Sequence, residues 1–437
     1  MICCKIRLMQ RLRDAVYNIL RWSEKYVKTD MIYLTKGGFW LLFSYSIQAI
    51  TGLILSVSFA NLLAKESYGF YQFVISMASI LAVFSLTGIG TAIIRGIAQG
   101  DEGCLRPSVK VSLKWTLGIL LTAAATSLYY WTKGNYQLSI AFAVVAIAQP
   151  LITTFNLYKT YLQGKKLFKS YSVIQTAQRL LPFTLLLIAI LCTRNPLTLV
   201  IVYFISHAIS AVLIYLYVVI KFKLPKQSEV KDLVKYGKHL SLMESMAELA
   251  TAADKVLIWF FLGAAPTAAY ALAQLPIIHL QAMFGFIREL AFPKIAQKSL
   301  PGLAKALPEK IRTYWIVALA VVVLYIISAP TIFHIFLPKY PEAVIYTQVL
   351  SLVILVVPRS LVTHTFAAHQ RTKELYLVNF STPIIRLSLL AIGLPMFGIW
   401  GVIGATLISE WCAALLQWKL FSNIINKISW PKQTKIK

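Results

Sequence analysis

Charge is what this sequence has least of. Only 14% of its 437 residues are charged, against about 25% in an ordinary soluble domain. With 58% hydrophobic residues and a mean hydropathy of +0.69, that deficit excludes a soluble globular chain. Cysteine is scarce as well. Cys3, Cys4, Cys104, Cys192 and Cys412 have no metal-ligand spacing and imply no disulfide framework. The adjacent Cys3 and Cys4 leave acylation and plain thiols both open. His207, His279, His334, His364 and His369 are scattered, with no H-x-x-x-H on one helical face, so proton relay and simple packing both stay open. No stretch alternates in the ten-residue pattern of an outer-membrane barrel. No Gly-rich motif cradles a phosphate, which argues against ATP as the driver.

Apolar length is what the chain has in quantity. A spanning helix needs roughly 20 mostly apolar residues. Twelve such stretches are predicted, at about 37–63, 69–94, 115–132, 138–158, 172–193, 197–220, 241–262, 266–287, 313–336, 343–368, 376–397 and 399–418. The fold class is therefore an all-α polytopic membrane protein. The net charge of +27 invites a nucleic-acid reading, and the position of the charge dismisses it. The two termini and every second connection hold 35 of the 43 Lys and Arg residues. The intervening loops hold only Lys65, Lys133, Arg194 and Lys339. That asymmetry is the positive-inside pattern, so both termini are expected in the cytoplasm and the protein in the cytoplasmic membrane. The basic loops report topology and contact with anionic lipid.

The chain divides into five parts. Residues 1–36 are neither a signal peptide nor a span. In "KIRLMQRLRDAVYNILRW", Leu8, Leu12, Val16, Ile19 and Leu20 share one face, the pattern of an interfacial amphipathic helix. Residues 37–220 and 241–420 are two six-span lobes, 221–240 is a basic linker, and 421–437 is a basic tail. Both lobes begin on the same side, so a duplication relating them is parallel. "QPLITTFNLYKTYLQGKKLFKSY" from Gln149 aligns without gaps on "VPRSLVTHTFAAHQRTKELYLVN" from Val357. Pro150 then faces Pro358 and Lys165 faces Lys373, while Arg179 and Arg386 miss one another by one position.

Ionisable groups inside the spans are few and therefore informative, because a charge at membrane depth costs roughly 2.5–3.5 kcal/mol on insertion scales. In span 7, Ser241, Glu244, Ser245, Glu248, Thr251 and Lys255 fall within an arc of about 120°, with Asp254 to one side. Span 1 carries a milder stripe through Ser44, Gln48, Thr51 and Ser58, and span 8 one through Tyr270, Gln274, Gln281 and Arg288. These stripes face protein or water. Glu244, Glu248, Asp254, Gln48, Gln274 and Gln281 are expected to line a cavity or couple an ion; interhelical hydrogen bonding is the plainer alternative. Arg179, Arg359 and Arg386 lie on the order of 12–15 Å from the membrane surface at 1.5 Å per residue. With Lys255 they make a cationic interior whose guanidiniums suit bidentate phosphate binding. The competing expectation pairs them with Glu244, Glu248 or Asp254. Arg95 and Arg288, at the inner ends of spans 2 and 8, mark a cavity mouth or simply snorkel.

Several stretches resemble polysaccharide and O-antigen flippases of the multidrug/oligosaccharidyl-lipid/polysaccharide superfamily. They are Gly38-Phe39-Trp40, then Ala64-Lys65-Glu66-Ser67-Tyr68-Gly69 between spans 1 and 2, with Arg95 closing span 2. "ADKVLIWFFLGAAPTAAYALAQ" is similar to that family's turn from span 7 to span 8, and "FGIWGVIGATLISE" to its last hairpin. The resemblance implies twelve spans in two lobes and a cationic central cavity. It also implies export of undecaprenyl-diphosphate-linked oligosaccharide by alternating access, with a polysaccharide polymerase and a chain-length regulator as candidate partners. It implies no cofactor beyond a coupling ion, proton or sodium. An antiporter for cationic drugs is the alternative within the superfamily, though it would favour a carboxylate-dominated chamber. A membrane polymerase or glycosyltransferase needs acid, base or arginine groups on a long external loop. The loops "AKES", "GAAP" and "LPKYPE" are too short to carry them.

Overall fold

The computed structural model describes residues 31–225, 231–297, 299–369 and 371–429. It is a bundle of helices that crosses the membrane about twelve times, with no strand among the described residues. The first half runs α1 (Met31–Leu62), α2 (Lys65–Ala82), α3 (Ile89–Ala98), α4 (Leu105–Trp115), α5 (Leu117–Thr132), α6 (Tyr136–Phe155), α7 (Tyr158–Gly164), α8 (Phe168–Cys192) and α9 (Pro196–Lys221). The second runs α10 (Lys231–Leu262), α11 (Ala264–Gln297), α12 (Leu300–Phe336), α13 (Glu342–Leu350), α14 (Ser360–Ala368), α15 (Thr372–Phe397) and α16 (Ile399–Ser429). Nine of the described helices are long and apolar enough to cross a membrane. The α2–α3 pair, α10 and α11 complete the set; the first is broken, and α10 carries the polar arc.

Two crossings are interrupted partway along their length. Pro150 sits inside α6, and six residues further on the helix breaks at Asn156–Leu157 before α7 continues it. In the matching crossing of the second lobe, Pro358 lies in a 3₁₀ stretch, Ser351–Arg359, between α13 and α14. Both aligned prolines thus fall in interrupted crossings, but the irregular stretch follows Pro150 and precedes Pro358. Several boundaries differ from those the sequence pattern predicts. Span 2 is not continuous; span 7 starts at Lys231 and span 9 at Leu300 rather than near 241 and 313. Span 12 runs on to Ser429. Of the amphipathic segment 1–36, only the last six residues are described, and they open α1. The rest of it, Cys3 and Cys4 included, lies outside the described residues.

The two lobes meet along the α2–α3 pair. Gly69, at the start of α2, lies so close to α11 that a Cβ would fall 1.9 Å from the carbonyl oxygen of Ala264. Gly88, just before α3, lies against α10, where a Cβ would fall 2.5 Å from the amide nitrogen of Ser241. Only glycine permits either approach. On the face carrying the short loops, Lys65 pairs with Glu342 at 2.6 Å. Lys339 donates to the carbonyl of Asn61 at 2.6 Å, and the Asn61 amide donates to that of Phe336 at 2.8 Å. These bonds clasp one lobe to the other at that rim.

Candidate functional site

The polar arc on α10 divides by depth. Ser241 and Ser245 are buried against the break between α2 and α3. There the Gly88 amide donates to Ser241 Oγ at 3.0 Å, and the Thr87 hydroxyl donates to the Ser241 carbonyl at 3.3 Å. Ser245 donates to the Val83 carbonyl at 3.5 Å. A broken helix leaves backbone groups without intrahelical partners, and these serines supply them. Glu244, Glu248 and Thr251 stay exposed on the same arc, Glu244 accepting a 3.4 Å bond from Thr91.

Asp254, one turn further on, is fully buried and anchors a network across three helices. Tyr270 on α11 donates to its carboxylate at 2.8 Å, and Gln274 donates to Tyr270 at 2.8 Å and to Asp254 at 3.4 Å. Arg386 on α15 closes the network with an ion pair to Asp254. Burying both charges is tolerable only because they are paired and hydrogen-bonded. Lys255, half-buried beside Asp254, ion-pairs with none of the described carboxylates.

Next to this network lies a cavity of about 420 Å³ within the second lobe. Arg359, Arg386 and Glu410 bring charge to its wall, and Gln281, Asn379, Gln417 and three threonines bring neutral hydrogen-bonding groups. Arg359 reaches Glu410 twice, through its carboxylate and its backbone carbonyl. Three buried atoms around this wall have no hydrogen-bond partner among the described residues: Asp254 Oδ1, Arg386 Nε and Gln417 Oε1. A hollow of this size, walled by valines and alanines together with these polar groups, is within the range of small-molecule sites.

Arg179 lies elsewhere. On α8 of the first lobe, its Nε donates to the Thr51 hydroxyl at 3.3 Å. A Cβ at Gly52 would lie 3.9 Å from both Arg179 Nη2 and His279 Cε1, which puts α11 of the second lobe beside it. Gln48 is half-buried one turn before Thr51 on α1. The structure thus does not gather the three arginines on one wall: two are ion-paired in the second lobe, and the third is bonded to a hydroxyl in the first. In the register that sets Pro150 against Pro358, the counterpart of Arg386 is Gln178. It accepts from Tyr158 at 2.6 Å and donates to Asn156 at 2.8 Å.

Arg95 is exposed at the end of α3, its guanidinium 5.1 Å from the ring of Tyr236 on α10, so it clips the two lobes together. Arg288 falls on α11, and its side chain lies outside the described residues. Two residues escape the sequence reading. Glu410 is a single acid in an apolar span, and its offset of 51 residues from Arg359 carries no local signature. Lys159 reads as a loop residue because the apolar run stops at Tyr158. In fact α7 carries the crossing on to Gly164, and the buried Tyr161 and Leu162 behind Lys159 are the signal of that extension.

Residues 34–299 match the family described as polysaccharide biosynthesis protein. The uncharacterized membrane protein MJ1068 of Methanocaldococcus jannaschii is 23% identical over 353 residues, 72% of this chain and 69% of that protein. Among solved structures, a MATE transporter in complex with MaD3S superposes with a TM-score of 0.66 at 14% identity, covering 91% of this chain and 96% of that one. A MOP superfamily transporter from Pyrococcus furiosus, described by the reverse polarity of its binding pocket, gives 0.64 at 15% identity with the same coverage. At such identities the likeness establishes the fold. The chain is a multi-pass membrane protein that belongs to the polysaccharide biosynthesis protein family.

Proposed function

We propose that this protein is a flippase for undecaprenyl-diphosphate-linked oligosaccharide, moving repeat units across the cytoplasmic membrane for O-antigen, capsule or exopolysaccharide assembly. The observation that carries the reading is the cavity of about 420 Å³, lined in part by charged and hydrogen-bonding side chains, inside a lobe whose outer surface is apolar. Lipid offers no reason to keep amides, hydroxyls and paired charges on an internal wall, whereas a sugar passing through needs many neutral donors and acceptors. Family membership points the same way. The basic face is taken as cytoplasmic, and the lobes alternate access by opening one rim while closing the other. A proton or sodium gradient, or the flux of substrate itself, supplies the drive. A polymerase and a chain-length regulator act on the product.

The test is deletion of the gene in its own host, followed by assay of lipid-linked repeat units on the cytoplasmic leaflet. Accumulation there with loss of surface glycan is expected; normal surface glycan overturns the reading. One observation favours a second reading. The ion pairs leave the cavity close to neutral while Glu244 and Glu248 stay exposed, an arrangement that suits a cation antiporter. Hypersensitivity of the deletion strain to cationic drugs, with glycan intact, would select it.

A further inference from the structure

The 3₁₀ stretch Ser351–Arg359 borders two hollows. Its nine residues, at about 2.0 Å each, cover about 18 Å, where α-helix would cover about 13.5 Å. Three residues per turn set its side chains in rows. Val353, Val356 and Arg359 make one row and line the cavity of the second lobe. Leu355 and Pro358 belong to the next row and line a separate groove of about 200 Å³. Val356 and Arg359 reach both hollows, so the wall between them is a single strip of backbone. α12 flanks the groove with Ile311 and Trp315. α16 flanks it with Trp411, Ala414, Leu415 and Trp418, the i, i+3, i+4, i+7 stripe of one helical face. The three tryptophans keep 40–46% of their surface exposed and Leu415 keeps 68%, so the groove opens outward to the bilayer.

Trp315 and Trp418 stand at the basic-face ends of the apolar runs 313–336 and 399–418, where interfacial tryptophan is ordinary. Trp411 has no such explanation. It lies two turns before Trp418, about 10 Å deeper, at the level of lipid chains. At the shallow end, Arg312 follows Ile311 and Lys419 follows Trp418. Both are exposed, and neither pairs with a described carboxylate, Glu309 one turn from Arg312 included. Inside a bilayer the hydrophobic effect does not distinguish protein from lipid, so a chain stays only where it fits. Rigid indoles on both flanks with the small Ala414 between them supply the fit, and the two cations match a phosphate at the interface. We propose that this groove is a binding site for one glycerophospholipid of the basic-face leaflet. One acyl chain lies along Trp411 and Leu415 towards Pro358, and the phosphate sits by Arg312 and Lys419. The groove does not join the cavity while Arg359 pairs with Glu410, so its occupant is a resident and not cargo. The chain closes from the bilayer side the thin wall that this ion pair closes from the cavity side.

The test uses the full-length protein in nanodiscs of phosphatidylcholine and phosphatidylglycerol, released into mild detergent, with retained lipid counted per chain by native mass spectrometry. Wild type is expected to keep one phospholipid; a wild type that keeps none overturns the site. Ala414→Phe fills the groove between its flanks and should lower occupancy by roughly tenfold or more. Leu415→Trp, which starts from an exposed side chain, makes the same test if Ala414→Phe does not fold. Arg312→Gln combined with Lys419→Gln should lower occupancy by a smaller factor. Leu324→Phe, on the lipid-facing surface of α12 away from the groove, should leave it unchanged. Occupancy within about twofold of wild type in the groove variants overturns the site. Equal loss in Leu324→Phe does so as well, since that is the behaviour of a general lipid annulus. Undecaprenyl phosphate added to the disc at a few mole per cent checks the occupant: if it replaces the retained phospholipid, the groove belongs to a prenyl chain and the assignment is wrong.

Discussion

At the scale of single residues, the pairing of Arg386 with Asp254 sets the sharpest expectation. The carboxylate is fully buried, so Arg386→Ala strands a charge and should destabilise the protein by about 3–5 kcal/mol. A double variant, Asp254→Leu with Arg386→Met, should recover most of that, as measured by thermal unfolding in detergent. Equal stability of the single variant and the wild type would show that the pair is no strut. Arg359→Ala, whose partner is a fifth exposed, should be milder. Sequence alone supplied Arg386 and Asp254 as interior charges and offered their pairing as one of two readings. It could not choose, because the choice depends on α10 and α15 lying side by side. Glu410 was not legible at all: nothing local marks an acid whose partner stands on another helix. Lys159 was missed for a different reason, since hydropathy ends a span where the apolar run ends, while a kinked helix continues.

At the scale of elements, the break between α2 and α3 depends on α10. Ser241→Ala removes the acceptor for a buried Gly88 amide and should cost about 1–3 kcal/mol. Ser241→Thr keeps the hydroxyl and should cost less; if Ala and Thr behave alike in thermal unfolding, the bond is not what matters. The arc on α10 was visible from spacing, yet its division of labour was not. Ser241 and Ser245 complete a neighbouring helix, and only the exposed Glu244, Glu248 and Thr251 remain for other work. The break itself left a trace in "FSLTGIG", a Ser, Thr and Gly run that punctuates the apolar pattern without proline. Regular α-helix needs no partner outside itself, so its spans read well from sequence. Irregular backbone needs a neighbour, and the neighbour is not in the window.

At the scale of the whole molecule, the charge asymmetry predicts an orientation that labelling can check. In a variant lacking the five native cysteines, Lys133→Cys and Lys235→Cys should react with an impermeant maleimide from opposite sides; both lie at exposed positions on opposite faces. Equal labelling from outside would reverse the topology. The twelve crossings and two lobes were readable because length, hydropathy and loop charge each constrain them independently. The seam between the lobes was not, and it has a mechanical consequence. Gly69 and Gly88 let the α2–α3 backbone approach α11 and α10 at two heights along the same crossing. Between them the seam is interlocked, Phe73 of α2 stacking on Trp259 of α10 at 4.6 Å, so the two glycines are the points at which added bulk has nowhere to go. A bulky residue at Gly69 acts as a wedge against Ala264, and Gly69→Leu is expected to break the clasp of Lys65 on Glu342. It should hold the short-loop rim apart, so that a cysteine pair at 65 and 342, which cross-links readily on the native background, fails to do so in the wedged protein.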